Sequence, residues 1–402
     1  MGIILPSYKK EILSDVLTSV GVGLSNYYIF AANPIEYTGS IPTLTNDDYN
    51  DKFIFDWQMI FGKKLNTSNI LPVIKNNLWS NGTIYTQYDN TSNTLYSNTN
   101  YYAVSSPYTV GAPYQIYKCI YNANGAPSTV QPTTVQQSTF TTTDGYMWRY
   151  IASISSEDYD RFASSNFIPV YPNTTIQNFA STYAGVDIVV VSNTGYGYNT
   201  YYNGIIQGGN SSVIQIDLSA STSSNFYNNC AIYVNNNLGF AQLKIVNNYT
   251  VNSSGNWVTL NSPLDGASIG SVLYNYSISP QVYFETDGSA DPAAYSVINT
   301  TSNSISSIVV VNPGSNISWA NVSIYTNFSF VSQNFVPANV YAVVPPPGGH
   351  GSDPLTELQT VGFGVYFYFA NSETNSIPTN ISYNKVGILK NPYTINATSG
   401  AK

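Results

Sequence analysis

Charge is what this sequence has least of. Asp, Glu, Lys and Arg together make up 8% of the 402 residues, against roughly 25% in an ordinary soluble domain. Solubility must therefore come from Asn, Ser, Thr, Gln and Tyr. The net charge is −8, and the 13 basic residues are scattered, with Lys244 alone between Arg161 and Lys385. No basic stripe exists to neutralise phosphates, so nucleic acid and anionic membrane are not expected partners. Histidine is limited to His350 and cysteine to Cys119 and Cys230, so a zinc site lacks ligands. Both cysteines lie in strand-like runs, YKCIY and NNCAIYV, where a small buried hydrophobe is the expected role and nothing supports a disulfide. Long apolar runs are missing as well. The stretch before the first lysines is only Ile3 to Leu5, so neither a secretory signal nor a bilayer span is expected, and Pro6 breaks the myristoylation pattern. Asn-x-Ser/Thr triplets at Asn81, Asn210, Asn248, Asn316 and Asn380 are what chance yields in so Asn-, Ser- and Thr-rich a chain.

What is present is burial. A hydrophobic fraction of 43%, with 36 Tyr and 17 Phe, supplies the core-forming side chains that disordered chains lack. Helix signals crowd the first 170 residues. Ser7 follows Pro6 as a cap, and Ile12, Leu13, Val16, Leu17 and Val20 form an apolar face ending at Gly21,. A strand, NYYIFAA, comes next. A second helix is expected from a cap at Asn46 or Asp47, with Asp47, Asp48 and Asp51 at its positive end and a stripe of Phe53, Trp57, Ile60 and Phe61 closed by Gly62 and two lysines,. Beyond it strands dominate, including Tyr114 to Tyr121 and Gly145 to Ile154,. A capping box at Ser155 and Asp158 marks one short helix,.

From about Tyr171 to Phe335 no helix is expected. Short strands between Asn, Gly, Ser and Pro clusters read there as a β-sandwich or barrel,. IVVVSNTG (Ile188 to Gly195) recurs as IVVVNPG (Ile308 to Gly314), which suggests a duplication,. Past Pro337 helix signals return, with Asp353 as cap and Pro354 in the first position, followed by VGFGVYFYFA and SYNKVGILKN,. The expected fold is mainly β within an α+β class. A discontinuous β-rich domain with a few helices, residues 1–170 and 336–402, carries an inserted all-β sandwich-like domain at 171–335.

Few constellations suggest chemistry. GASIG, Gly266 to Gly270, matches G-x-S-x-G with Asp291 and His350 following, but a nucleophile elbow must join a strand to a helix and GASIG lies between turns and a strand. Ser268 is therefore not expected to be catalytic. His350, in a Pro- and Gly-rich loop, reads as a loop anchor. Glu285, Asp287 and Asp291 around Gly288 lack the spacing of a calcium loop,. No carboxylate pair, phosphate loop, cofactor site or metal site stands out, and no enzymatic activity is expected. The aromatic density of GYGYNTYY exceeds what a core needs, so Tyr196, Tyr198, Tyr201 and Tyr202 are candidate interface residues. Tyrosine suits subunit interfaces, sugar binding and simple sheet cover alike.

Several stretches, in chain order, resemble the baseplate wedge subunit family of T-even-type contractile-tailed phages, the wedge protein that forms dimers between larger components. They are NYYIFAANP, ILPVIKNNLWSNGTIYTQYD, YQIYKCIYNANGAPSTVQP, TDGYMWRYIASIS, PPGGHGSD and KVGILKNP. The similarity covers roughly residues 7–170 and 338–392, and departs after Asn33, where IEYTGS replaces the family's Arg and aromatic. It implies that Asp144, Gly145, Tyr146 and Trp148 are architectural, opening a strand of the discontinuous domain. Gly348, Gly349, His350 and Gly351 belong to the returning part of that domain. It further implies a virion structural role in the tail baseplate, a homodimer, docking to other wedge subunits, and no cofactor. A glycan-binding tail adhesin using the inserted Tyr-rich domain is the alternative from another functional class.

Overall fold

The computed structural model describes residues 6–22, 25–32, 59–92, 94–95, 100–199, 201–325, 334–369, 383 and 385–391. The protein is mainly β, with strands at 43% and helix at 12%. Every ladder between named strands is antiparallel.

The first helix spans Pro6–Val22. Leu13 is buried and Val16, Leu17 and Val20 are half-buried, whereas Ile12 stays exposed. Next comes the strand Tyr27–Ala32, central in a sheet between Met59–Lys64 and Lys385–Lys390. The second helix expected from sequence is corrected at its end. Ile60 and Phe61 belong to the strand Met59–Lys64, which alternates half-buried and exposed residues with the period of two that pairing against Tyr27–Ala32 imposes,. The remainder of that expected helix lies outside the described residues. Among the described residues no helix is long and apolar enough to cross a membrane.

One core is shared by distant parts of the chain. Ile74, Val104, Ile116, Ile120, Ile151 and Ile168 pack with Val343 and Leu358. Its principal sheet orders the strands Tyr102–Ser105, Tyr114–Asn122, Tyr146–Ile154 and Phe140–Thr141. A smaller sheet places Ile70–Lys75 between Gly362–Val365 and Phe167–Pro169. Each fully buried aliphatic side chain contributes about 1.5–3 kcal/mol relative to exposure. Burial in this core, not local propensity, therefore joins Ile74 and Val104 to the distant Val343 and Leu358.

A second core gathers Val189, Ile298, Ile305, Ile308 and Ala342 from short two-stranded ladders. Here both copies of the repeated IVVV segment lie in strands, Ile188–Asn193 and Ser304–Asn312. Both end in the same turn chemistry. Gly195 N donates to Asn193 Oδ1 at 2.9 Å and Gly314 N donates to Asn312 Oδ1 at 3.0 Å, an Asx turn in each case. The strands nevertheless pair with unlike partners, Asn339–Val343 and Ala293–Asn299.

The third core lies inside a seven-stranded sheet that folds over on itself. The chain pairs through Tyr202–Ile205 with Asn275–Ser279 at one margin, and through Gly208–Gly209 with Val213–Ile216 at the other. A single run of residues thus borders both margins. Ile214, Ile232, Val246, Val258 and Ile278 fill the interior.

The expectation of no helix after Tyr171 is also corrected, because Thr174–Ala180 is helical. Asn173 caps it, accepting from Thr175 N at 3.0 Å and Ile176 N at 3.3 Å. The β-branched run Thr174, Thr175, Ile176 masks this helix in the sequence. The two short helices Ser156–Phe162 and Pro354–Glu357 lie where their caps, Ser155 and Asp353, were read.

Candidate functional site

Two cations face each other in the middle of the principal sheet. Lys118 on Tyr114–Asn122 is opposite Arg149 on Tyr146–Ile154, and both are buried, at 0% and 3% exposure. Like charges directly opposed across a ladder destabilise it, so the pair requires anions. Glu357, at the end of the helix Pro354–Glu357, brings Oε1 to 2.9 Å from Lys118 Nζ. Asp187, which immediately precedes the strand Ile188–Asn193, is buried nearby. His350 completes the cluster, with Nδ1 2.5 Å from Glu357 Oε1 and Nε2 2.8 Å from Asp187 Oδ2. The Gly351 amide donates to Glu357 Oε2 at 2.7 Å.

Aromatic rings close the site. Lys118 Nζ sits 3.5 Å from the centroid of the Tyr88 ring, a favourable cation–π placement away from water. The same ring meets His350 edge-on at 5.2 Å, and Tyr88 donates its hydroxyl to Val344 O at 3.3 Å. Tyr101 donates to Glu357 O at 3.2 Å.

Burial pulls both cations toward neutrality, lowering Lys118 and Arg149 below their ordinary values, while Glu357 and Asp187 counteract it,. Burial would likewise raise the Glu357 carboxyl. Lys118, His350 and the Gly351 amide outweigh it and hold that carboxyl well below the usual range. The cluster is an ion network sealed inside the fold.

The loop bearing His350 is threaded beneath the helix Thr174–Ala180. Gly349 has φ +88, and a Cβ there would lie 2.1 Å from Ala180 O. Gly351 has φ +81, and its Cβ would lie 2.4 Å from Ile176 Cγ2. Only glycine tolerates both the left-handed backbone and the approach. Gly348 lies in the same conformation, at φ +81. Asp353 caps the helix that follows, accepting from Thr356 N at 3.4 Å and from Thr356 Oγ1 at 2.7 Å, and pairs with Lys10 at 2.6 Å.

The Asp144 motif builds a second knot. Asp144 Oδ2 accepts from Ser128 Oγ at 3.1 Å, Thr129 N at 2.8 Å and Val130 N at 2.9 Å, and Oδ1 accepts from Thr142 Oγ1 at 2.5 Å. Gly145 turns the chain at φ +85. Tyr146 and Trp148 then enter the core, stacked at 5.4 Å and 17°. Tyr85 meets Trp148 edge-on at 5.2 Å. Asp144 and the Tyr146 hydroxyl, which donates to Ala126 O at 2.5 Å, close the loop 126–130 against the sheet.

The four tyrosines read as a possible interface are not one surface. Tyr198 is 2% exposed and accepts from Ala338 N at 2.7 Å. Tyr201 packs on the second core and Tyr202 on the third. Only Tyr196, at 42% exposure, faces outward.

The discarded chemical readings find their residues otherwise engaged. Ser268 lies among turns, with the strand Asn275–Ser279 as the next named element, and both His350 nitrogens are occupied by Asp187 and Glu357. Asp287 is bonded to the amides of Ser318 at 2.9 Å and Trp319 at 3.3 Å and to the Ser318 hydroxyl. Cys119 and Cys230 are buried and unbridged.

Sequence reading named His350 but missed Lys118, Arg149, Asp187 and Glu357. A signal existed for the cations. In a chain this poor in charge, each sits alone inside a strand of apolar and aromatic residues, YQIYKCIYN and YMWRYIASI, where an unpaired charge is prohibitive. Comparison of the sequence with protein-family models and with curated proteins finds no match in either.

Proposed function

We propose that this chain is a structural subunit of a contractile phage tail baseplate wedge, acting through protein–protein interfaces with neighbouring wedge subunits and with a second copy of itself. The observation that carries the reading is how the two motifs of resemblance are used. Asp144, Tyr146, His350 and Gly351 spend their polar groups on internal bonds and Trp148 is buried in the core, as architectural motifs are. In this reading residues 1–170 and 336–402 form the anchoring domain, and 171–335 the inserted one. With charged residues at 8% and four of them withdrawn beside His350 into the buried cluster, subunits approach one another with little long-range repulsion. Broad polar-aromatic contacts need that condition.

The test is assembly. Co-expression with neighbouring wedge subunits, followed by light scattering and electron microscopy of the tail tip, is expected to show a dimer incorporated within the baseplate. A chain that stays monomeric beside its wedge partners would overturn this reading, and one that projects from the tail and binds a glycan array would replace it with the adhesin.

A further inference from the structure

The one histidine of this chain stands where a proton is part of the structure. Its Nδ1 faces Glu357 Oε1 at 2.5 Å and its Nε2 faces Asp187 Oδ2 at 2.8 Å. A neutral imidazole has one N–H and one lone pair. In that form one of the two contacts sets a lone pair against a carboxylate oxygen at direct-contact distance in a buried site,. Two such contacts are best met by a ring that donates from both nitrogens.

We propose that His350 is a proton-linked clamp: doubly protonated, it ties Asp187 to Glu357, and on losing one proton it releases the loop Pro345–Glu357. The clamp lies at a junction. Asp187 leads into the strand Ile188–Asn193, and its amide donates to Val343 O, the end of the returning strand Asn339–Val343, at 2.9 Å. His350 thus fastens the exit and the return of the chain segment between them to the helix bearing Glu357. Gly348, Gly349 and Gly351 flank it as hinges able to absorb the backbone change,.

The charged and titratable groups facing the ring come from several elements. Lys118 and Arg149 project from the sheet, Asp187 and Glu357 touch the ring, and Tyr88 covers it edge-on. The cations oppose a third positive charge, but Lys118 also holds the Glu357 carboxyl below its usual range, which favours the proton on the ring over that acid. Because the clamped loop binds one proton more than the released loop, closure is favoured by acid and lost as pH rises.

A single histidine makes the test direct. Nitrogen-15 NMR of the intact protein reports its ring protonation without assignment ambiguity, and the Gly351 amide, bonded to Glu357, reports loop closure by hydrogen exchange. The expected result is a doubly protonated ring wherever Gly351 is protected. Its protection factor then falls by about tenfold per pH unit as the ring proton leaves, the slope of one released proton. A ring that becomes neutral while Gly351 keeps full protection overturns the clamp. His350→Gln is expected to abolish this pH slope, and a folded variant that retains it would also overturn the proposal. If the variant does not fold, the NMR measurement on the unaltered chain decides.

Discussion

Lys118 and Glu357 stand 239 positions apart in the chain, yet Lys118 Nζ lies 2.9 Å from Glu357 Oε1 with both side chains out of solvent. Each is an opposite charge in direct contact with the other in the interior. Lys118→Met or Glu357→Gln leaves a partner ion uncompensated, and each is expected to cost about 3–5 kcal/mol. Urea unfolding measures this, and the double variant is expected to lose less than the sum of the two single losses, because neither ion is then left behind.

Gly349 offers a test of the threading of the His350 loop. An alanine there combines a left-handed backbone with a Cβ 2.1 Å from Ala180 O, whereas Gly82, at φ +85, has nothing within 4 Å of its Cβ position. Gly82→Ala is expected to cost about 1–2 kcal/mol from backbone conformation alone. The loss in Gly349→Ala should exceed it clearly in the same thermal-melt comparison, because the obstructing atom is backbone.

The Asp144 knot predicts acid sensitivity. Burial acts to raise this carboxyl, but the Thr142 hydroxyl and the amides of Thr129, Val130 and Tyr146 outweigh it and hold it below its ordinary value. A depressed folded-state value means that the stabilisation is fully present above the unfolded carboxylate range and is lost as pH falls through the folded value. The melting temperature of the native chain is expected to fall more steeply below about pH 4 than that of Asp144→Asn. Coincident curves would show that the charge of Asp144 is not what closes the loop.

Trp148 separates packing from hydrogen bonding. Among the described residues its indole Nε1 is buried without a hydrogen-bond partner, so its role is to fill space between Tyr85 and Tyr146. Trp148→Ala is expected to lose about 3–5 kcal/mol through the cavity it leaves. Trp148→Phe, which keeps a ring and forfeits no bond, should lose distinctly less in denaturant titrations.

Tyr196 and Tyr198 are two residues apart in sequence and opposite in expected behaviour. Tyr198→Ala removes a buried ring and the acceptor for Ala338 N, and is expected to cost about 3–5 kcal/mol. Tyr196→Ala, on an exposed position, should leave stability within about 0.5 kcal/mol. Any loss of self-association in Tyr196→Ala at unchanged stability would locate an interface there.

Local features were legible where a short-range rule decides them. The caps Ser155 and Asp353 mark helix starts because a side-chain oxygen and an amide three residues on are all that is required,. The strands at Tyr114 and Tyr146 follow from alternating aromatic and β-branched residues. The helix Thr174–Ala180 escaped because its residues are poor helix formers held by the Asn173 cap and by packing of Ile176 and Ala180. The strand at Met59 escaped because Ile60 and Phe61 also fit a helical stripe, and only pairing with Tyr27–Ala32 distinguishes the two periods.

Composition and pattern by themselves determined that this chain folds, that it is mainly β, and where the caps Ser155 and Asp353 lie. These depend on residue type and on neighbours a few positions away. Which charges are buried, and with whom, was decided by tertiary structure alone. Lys118, Arg149, Asp187, His350 and Glu357 are dispersed along the chain, and nothing in their local sequence encodes a partner. Low dielectric inside the fold makes each one's presence conditional on the others, so the pairing exists only once the sheets have brought them together.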